Sequence, residues 1–130
     1  MFAELFVLLY VAHLAADYPL QTDDQAAHKA DSGVKGWQAN LMHAGTHVVA
    51  CAVVLAVAAV ALDETPGVWE GIAALVWIGG THAVIDRRWP IRWWMENTGQ
   101  KEFIQHGGAA HVDQAAHVIA LAVAALGMAA

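Results

Sequence analysis

Eight ionisable side chains fall inside strongly apolar stretches of this chain, and they come in pairs: His13 and Asp17, His43 and His47, His82 and Asp86, Asp113 and His117. Each pair is spaced i, i+4. On a helix that spacing puts both side chains on one face, about 40° apart around the axis. Imidazole nitrogens together with carboxylate oxygens favour Zn, Mn, Fe or Ni over Ca or Mg. A single tetrahedral zinc takes four ligands, water included, so five His and three Asp exceed its needs. The surplus suits two ions bridged by a carboxylate, or one ion with further carboxylates that orient the imidazoles. His13, Asp17, His43, His47, His82, Asp86, Asp113 and His117 are therefore the candidate metal ligands. The expected cofactor is a divalent transition metal, first of all Zn as one or two ions, with Mn or Fe as alternatives. Asp17, Asp86 and Asp113 are also the catalytic candidates, since a carboxylate not spent on the metal can act as general base.

Spacing alone is a weak signal. Asp24 and His28, and Glu102 and His106, repeat the interval in polar segments, where His28 and His106 read as solvated loop residues. Location is the stronger signal. An ionisable residue at the centre of a membrane span costs roughly 2.5–3.5 kcal/mol, less near the ends. Several of them need a compensating partner, and structural zinc sites gain roughly 10–16 kcal/mol. Two other readings use the same residues: helices joined by His–Asp hydrogen bonds, and a proton or ion pathway.

The elements that must position these groups follow from the hydropathy pattern. The chain is 58% hydrophobic and 14% charged over 130 residues, with its apolar residues in blocks rather than an amphipathic stripe. That composition indicates a membrane protein of one compact domain, residues 1–130. Four blocks, at about 2–20, 41–62, 68–85 and 109–130, predict an all-α fold: a four-transmembrane-helix bundle. Pro19 marks the end of the first block or a kink in it. Asp63, Glu64, Thr65, Pro66 and Gly67 make a polar turn between the second and third. Trp89, Pro90, Ile91, Arg92, Trp93 and Trp94 predict an interfacial segment between the third and fourth. A signal peptide would carry a basic start; the one early charge is Glu4, so the first block reads as a mature helix.

All six Lys and Arg fall in the two longer connections, 22–40 and 87–108, while the short turn is acidic. The positive-inside rule places both connections in the cytoplasm and both termini outside it. The four His/Asp pairs then lie at one depth, near the cytoplasmic face. Lys29, Arg87 and Arg88 are candidates for holding an anionic substrate group, since guanidinium matches phosphate bidentately. Gln21 and Gln114 are candidate hydrogen-bond donors to a substrate. His111 either caps the fourth helix or joins the site. Cys51, the single cysteine, excludes a disulfide framework and reads as a packing residue. A net charge of -6 and the absence of a recognised motif argue against nucleic acid as a partner. Membrane lipids are the expected surroundings, and so small a bundle is compatible with homo-oligomerisation.

The segments His13-Leu14-Ala15-Ala16-Asp17-Tyr18-Pro19-Leu20-Gln21, His82-Ala83-Val84-Ile85-Asp86 and Asp113-Gln114-Ala115-Ala116-His117, with His43 and His47, resemble a membrane family of bacteria and their phages, the domain of unknown function 3307. The resemblance covers essentially the whole chain and implies a multi-pass protein of the bacterial inner membrane. In layout that family looks similar to the LexA-regulated inner-membrane metal-dependent hydrolases, and these in turn to the zinc-dependent phospholipase C group. The likeness implies a metal-dependent hydrolase acting on a lipid or lipid-linked phosphoester at the cytoplasmic leaflet. The alternatives are a metal-ion or proton transporter or channel, and a non-enzymatic phage or bacterial accessory membrane protein.

Overall fold

The computed structural model describes residues 1–62 and 65–130. Asp63 and Glu64, which begin the expected acidic turn, lie outside the described residues. Seven helices follow one another: α1 (Phe2–Asp17), α2 (Asp23–His28), α3 (Gly33–Ala61), α4 (Val68–Ile85), α5 (Trp89–Asn97), α6 (Lys101–Gln105) and α7 (Gly108–Ala129). The fold is all-helical, with no strand among the described residues. The four long helices α1, α3, α4 and α7 pack in a ring in that order, each against its two neighbours.

Three of these helices, α3, α4 and α7, are long and apolar enough to cross a membrane. α1 has 16 residues, about 24 Å at ~1.5 Å per residue, short of the ~30 Å hydrocarbon core. The structure thus offers three spans by length rather than clearly four. α1 stops at Asp17 although the apolar block runs on to Leu20. Pro19 has no N–H to continue the ladder, and the Leu20 amide reaches back to the Ala15 carbonyl instead.

The polar connections are not loops. Thr22 caps α2 through a capping box with Gln25: the Gln25 amide donates to Thr22 Oγ1, and the Thr22 amide donates to Gln25 Oε1. α3 begins at Gly33, well before the apolar block at Leu41, so its first turns carry the polar residues of the connection. Between α4 and α7, α5 buries Ile91 and Met95 and exposes Trp89, Trp93 and Trp94. Apolar tryptophan faces directed outward suit a helix lying at the headgroup boundary.

The core occupies one half of the bundle. Leu5 and Leu9 of α1, Cys51 and Leu55 of α3, Ala74 and Ile78 of α4, and Leu121, Ala125 and Met128 of α7 form one buried cluster. Cys51 is buried within it as a packing residue. Small residues bring the helices close, which matters where lipid rather than water surrounds them and contact dispersion drives association. A Cβ added at Gly79 would lie 2.7 Å from Val48 Cγ2, so α3 and α4 are in tight contact there. The Trp77 indole N–H donates to the Ala120 carbonyl at 2.9 Å, tying α4 to α7. The outward faces carry exposed Val49, Val53, Val76, Ile119, Val123 and Leu126. An apolar exterior around so small a core is the surface of a membrane protein.

Candidate metal centre

Each long helix carries one inward ladder at i, i+4 spacing, and the ladders explain where the site lies. They read Leu5, Leu9, His13, Asp17 on α1; Leu55, Cys51, His47, His43 on α3; Ala74, Ile78, His82, Asp86 on α4; and Ala125, Leu121, His117, Asp113 on α7. α1 and α4 run one way and α3 and α7 the other, so the four ladders switch from apolar to polar at the same level. His13, His47, His82 and His117 make one layer, a histidine from every helix. Their ring centroids are 5.0, 3.6, 4.3 and 5.2 Å apart around the ring. Asp17, His43, Asp86 and Asp113 lie one turn further. His13, Asp17, His43, His47, His82, Asp86 and His117 are each at most 7% exposed.

The carboxylate of Asp17 gathers three imidazoles. Its Oδ1 lies 3.2 Å from Nε2 of His43 and 3.1 Å from Nε2 of His47, and its Oδ2 lies 3.1 Å from Nε2 of His13. Gln114 Nε2 donates to the same Oδ2 at 3.3 Å, while Gln114 Oε1 faces His13 Nε2 at 3.4 Å. The Asp86 carboxylate gathers the others: Oδ2 is 3.1 Å from His82 Nε2 and 3.4 Å from His43 Nε2, and Oδ1 is 3.9 Å from His117 Nε2. Lys29 reaches in from the end of α2, its Nζ 3.1 Å from Asp86 Oδ2 and 3.2 Å from His43 Nε2.

Two sets of ligand atoms lie within 4.8 Å of one another: Asp17, His43, His47 and His82, and again His82, Asp86 and His117. These buried His/Asp groupings can hold a metal ion. His117 tests the fit. Its Nδ1 lies 3.0 Å from the Asp113 carbonyl oxygen, which only accepts, so Nδ1 carries the proton. In the neutral ring Nε2 then presents a bare lone pair to the cluster; it is buried and without a hydrogen-bond partner, as is Nε2 of His82. A buried lone pair that no donor meets is costly, and a cation answers it. The donor chemistry, imidazole and carboxylate, is that of a transition-metal site.

The other candidates divide. Asp113 stands apart from the two groupings, more exposed than the rest, with Oδ2 3.5 Å from His117 Nδ1. It faces the back of that imidazole rather than the cluster. Gln114 is within the site, and Gln21 buttresses it, donating to the Asp17 carbonyl at 2.7 Å. Arg87 turns away: its guanidinium donates to the Lys29 and Asp31 carbonyls at 3.1 and 2.7 Å and lies 4.5 Å over the Trp37 ring. It fastens the α2–α3 turn, and with it Lys29, to the end of α4. His28 belongs to an exposed network with Asp31 and Lys35. His106 bonds back to the Glu102 carbonyl, and His111 stacks on Phe103 outside the groupings.

Three residues were not singled out from the sequence. Asn40 is fully buried one turn before His43 and donates to the Ala83 carbonyl at 3.1 Å. Its helical spacing to His43 and His47 was the available signal, hidden because the segment read as a loop. Tyr18 and Arg92 line a cleft of about 640 Å³ that also reaches Lys29, Asp86, Arg88 and Gln114. Nothing in the sequence alone brings Arg92 near Asp86.

These features define a class: an all-helical protein with helices long and apolar enough to cross a membrane, around a buried His/Asp grouping able to hold a metal ion. The chain belongs to the family described as Protein of unknown function (DUF3307), which it matches over residues 5–130. No curated protein and no solved structure matches it. The family match does not show the looser resemblance to LexA-regulated hydrolases.

Proposed function

We propose that the chain is a membrane-embedded, metal-dependent hydrolase acting on a lipid or lipid-linked phosphoester at the cytoplasmic leaflet of the bacterial inner membrane. The observation that carries this reading is the convergence of five Nε2 atoms on two buried carboxylates, with the His117 lone pair left bare toward them. His–Asp hydrogen bonding alone does not answer that lone pair. His13, His43, His47, His82 and His117, with Asp17 and Asp86, would hold one or two divalent ions, most readily Zn. Such an ion supplies Lewis acidity and a nucleophile drawn from water at neutral pH.

The chain's own groups supply the rest. Asp113 and its carbonyl fix the tautomer and orientation of His117, as outer carboxylates do for ligating imidazoles. Of the two carboxylates that would hold the metal, Asp86 is the one that lines the cleft. Lys29 sets a positive charge beside it. The apolar half of the bundle supports hydrolysis over transport: beyond the histidine layer the interior is filled by Leu9, Ile78 and Leu121, without a polar trail among the described residues.

In this reading α1 is the fourth span. It lines the same core as the other three and exposes Val7 and Val11, and its shortness is met by local bilayer thinning. All six Lys and Arg lie at the site's end of the bundle, which directs that end to the cytoplasm and both termini outward. Elemental analysis of detergent-purified protein tests the centre. The native chain should carry transition metal in fixed stoichiometry, and His47→Ala and Asp86→Asn, on different helices, should both lose it. A native protein free of such metal after growth and purification in its presence sinks the proposal.

A further inference from the structure

Of the three neighbouring arginines only Arg87 has a partner. The side chains of Arg88 and Arg92 make no hydrogen bond and no ion pair among the described residues, yet both line the cleft that ends on Asp86. We propose that this cleft, bordered by α5, α6 and α7, is the subsite for a phosphate-bearing ligand, gripped by the guanidinium groups of Arg88 and Arg92 at its mouth. The inference rests on the metal-centre reading and gives its ligand a chemistry.

Four observations converge on the cleft. Its inner wall is built rather than accidental: Asp86, 3% exposed, lines it with Oδ2 ion-paired to Lys29 and accepting no well-formed hydrogen bond. Arg88 caps the N-terminus of α5 and Arg92 lies in its first turn, and both line the cleft. Arg88 is held at φ 62, the only non-glycine residue with positive φ among those described. That conformation is unfavourable for an L side chain and free for glycine. A residue kept there against backbone preference is worth more for its side chain than for its turn. Finally, α5 carries exposed Trp89, Trp93 and Trp94, a composition that suits a helix lying among lipid headgroups.

Charge couples the subsite to the metal centre. Lys29, Arg88 and Arg92 line the cleft together with Asp86 and Asp113, three cations against two carboxylates. The excess is slight until a divalent ion adds to it. Phosphate and metal therefore bind with positive coupling, each raising the other's affinity by the same factor. Phosphate is the shared chemistry; a lipid headgroup and free phosphate are its two sources.

The test uses the full chain in nanodiscs of phosphatidylcholine, titrated calorimetrically with inorganic phosphate before and after loading with Zn. Zn-loaded native protein is expected to bind phosphate more tightly than metal-free protein. Arg88→Gly and Arg92→Gln should each weaken phosphate binding about tenfold while elemental analysis finds their Zn content unchanged. Arg88→Gly relieves the backbone, so its thermal midpoint should not fall, which separates lost binding from lost fold. Adding phosphatidic acid to the disc should suppress the phosphate signal if a headgroup fills the cleft, and leave it intact if the ligand is soluble. Parental phosphate affinity in both arginine variants, or no phosphate binding by the loaded native chain, overturns the subsite. Absence of Zn with arginine-dependent phosphate binding preserved instead overturns the metal centre alone.

Discussion

The same four helices build two unlike halves. In one, the inward ladder positions are Leu5, Leu9, Leu55, Cys51, Ile78 and Leu121, a cluster that asks only for volume and close approach. One turn on, the same ladders present His13, His47, His82 and His117, then Asp17, His43, Asp86 and Asp113. Here volume is not enough, because every lone pair and carboxylate oxygen needs a partner that neither lipid nor apolar side chains provide. The halves are nonetheless one device. The apolar half fixes the rotation of each helix about its axis, and because the i, i+4 spacing carries on without interruption, it also aims the imidazoles. A metal centre built this way stands on rigid helices rather than loops, the condition for holding ligands to within a fraction of an ångström.

Substitutions can break that division of labour or sharpen it. Asp17→Ala should act most strongly, because Asp17 touches His13, His43 and His47 together. It is expected to lower metal affinity by more than ~100-fold, beyond what outer-sphere changes cost, as read by competition with a calibrated chelator. Leu9→Ala should do the opposite. It costs about 2–5 kcal/mol of stability through the cavity it leaves, measured by unfolding in detergent, yet the folded fraction keeps its metal. Equal loss of metal in both variants would mean that the halves are not separable. Asp113→Asn is a finer probe: the backbone carbonyl still holds His117 Nδ1, so affinity should fall only about tenfold, the low end for a group behind a ligand. His106→Ala, at the exposed end of α6 and outside the groupings, should leave metal content untouched and stability within about 0.5 kcal/mol.

Much of the site was legible in the residues because burial of ionisable groups in apolar blocks is costly and helical spacing is unambiguous. His13, His43, His47, His82 and His117 could be picked out on those grounds alone, and so could Asp17 and Asp86. The roles within the set could not. Asp113 shares the spacing of the other pairs, but its position on the outer side of the His117 ring depends on how α7 is turned. Arg87 and Arg88 are adjacent and chemically alike, yet one staples the α2–α3 turn and the other lines the cleft. A positive φ at Arg88 redirects the chain between them, and no local pattern announces it. The connections misled for a related reason. Polar composition read as loop, while α2, the start of α3, α5 and α6 are helices that expose those polar faces at the end of the bundle.

What the sequence determined by itself is the helical, membrane-type composition, the basic connections gathered on one side, and the periodic placement of histidine and aspartate within apolar blocks. These are properties of single segments, set by backbone geometry and transfer free energy, and they need no neighbour to be read. What only the tertiary structure decided is which nitrogen faces which oxygen: three imidazoles on Asp17, three more approaches on Asp86, Lys29 inserted between them, and a cleft lined by Arg88 and Arg92. Those depend on the mutual rotation and ring order of α1, α3, α4 and α7. Contacts between residues up to about a hundred positions apart, such as Gln114 with His13, follow from packing, and packing is a property of the assembled helices rather than of any one of them.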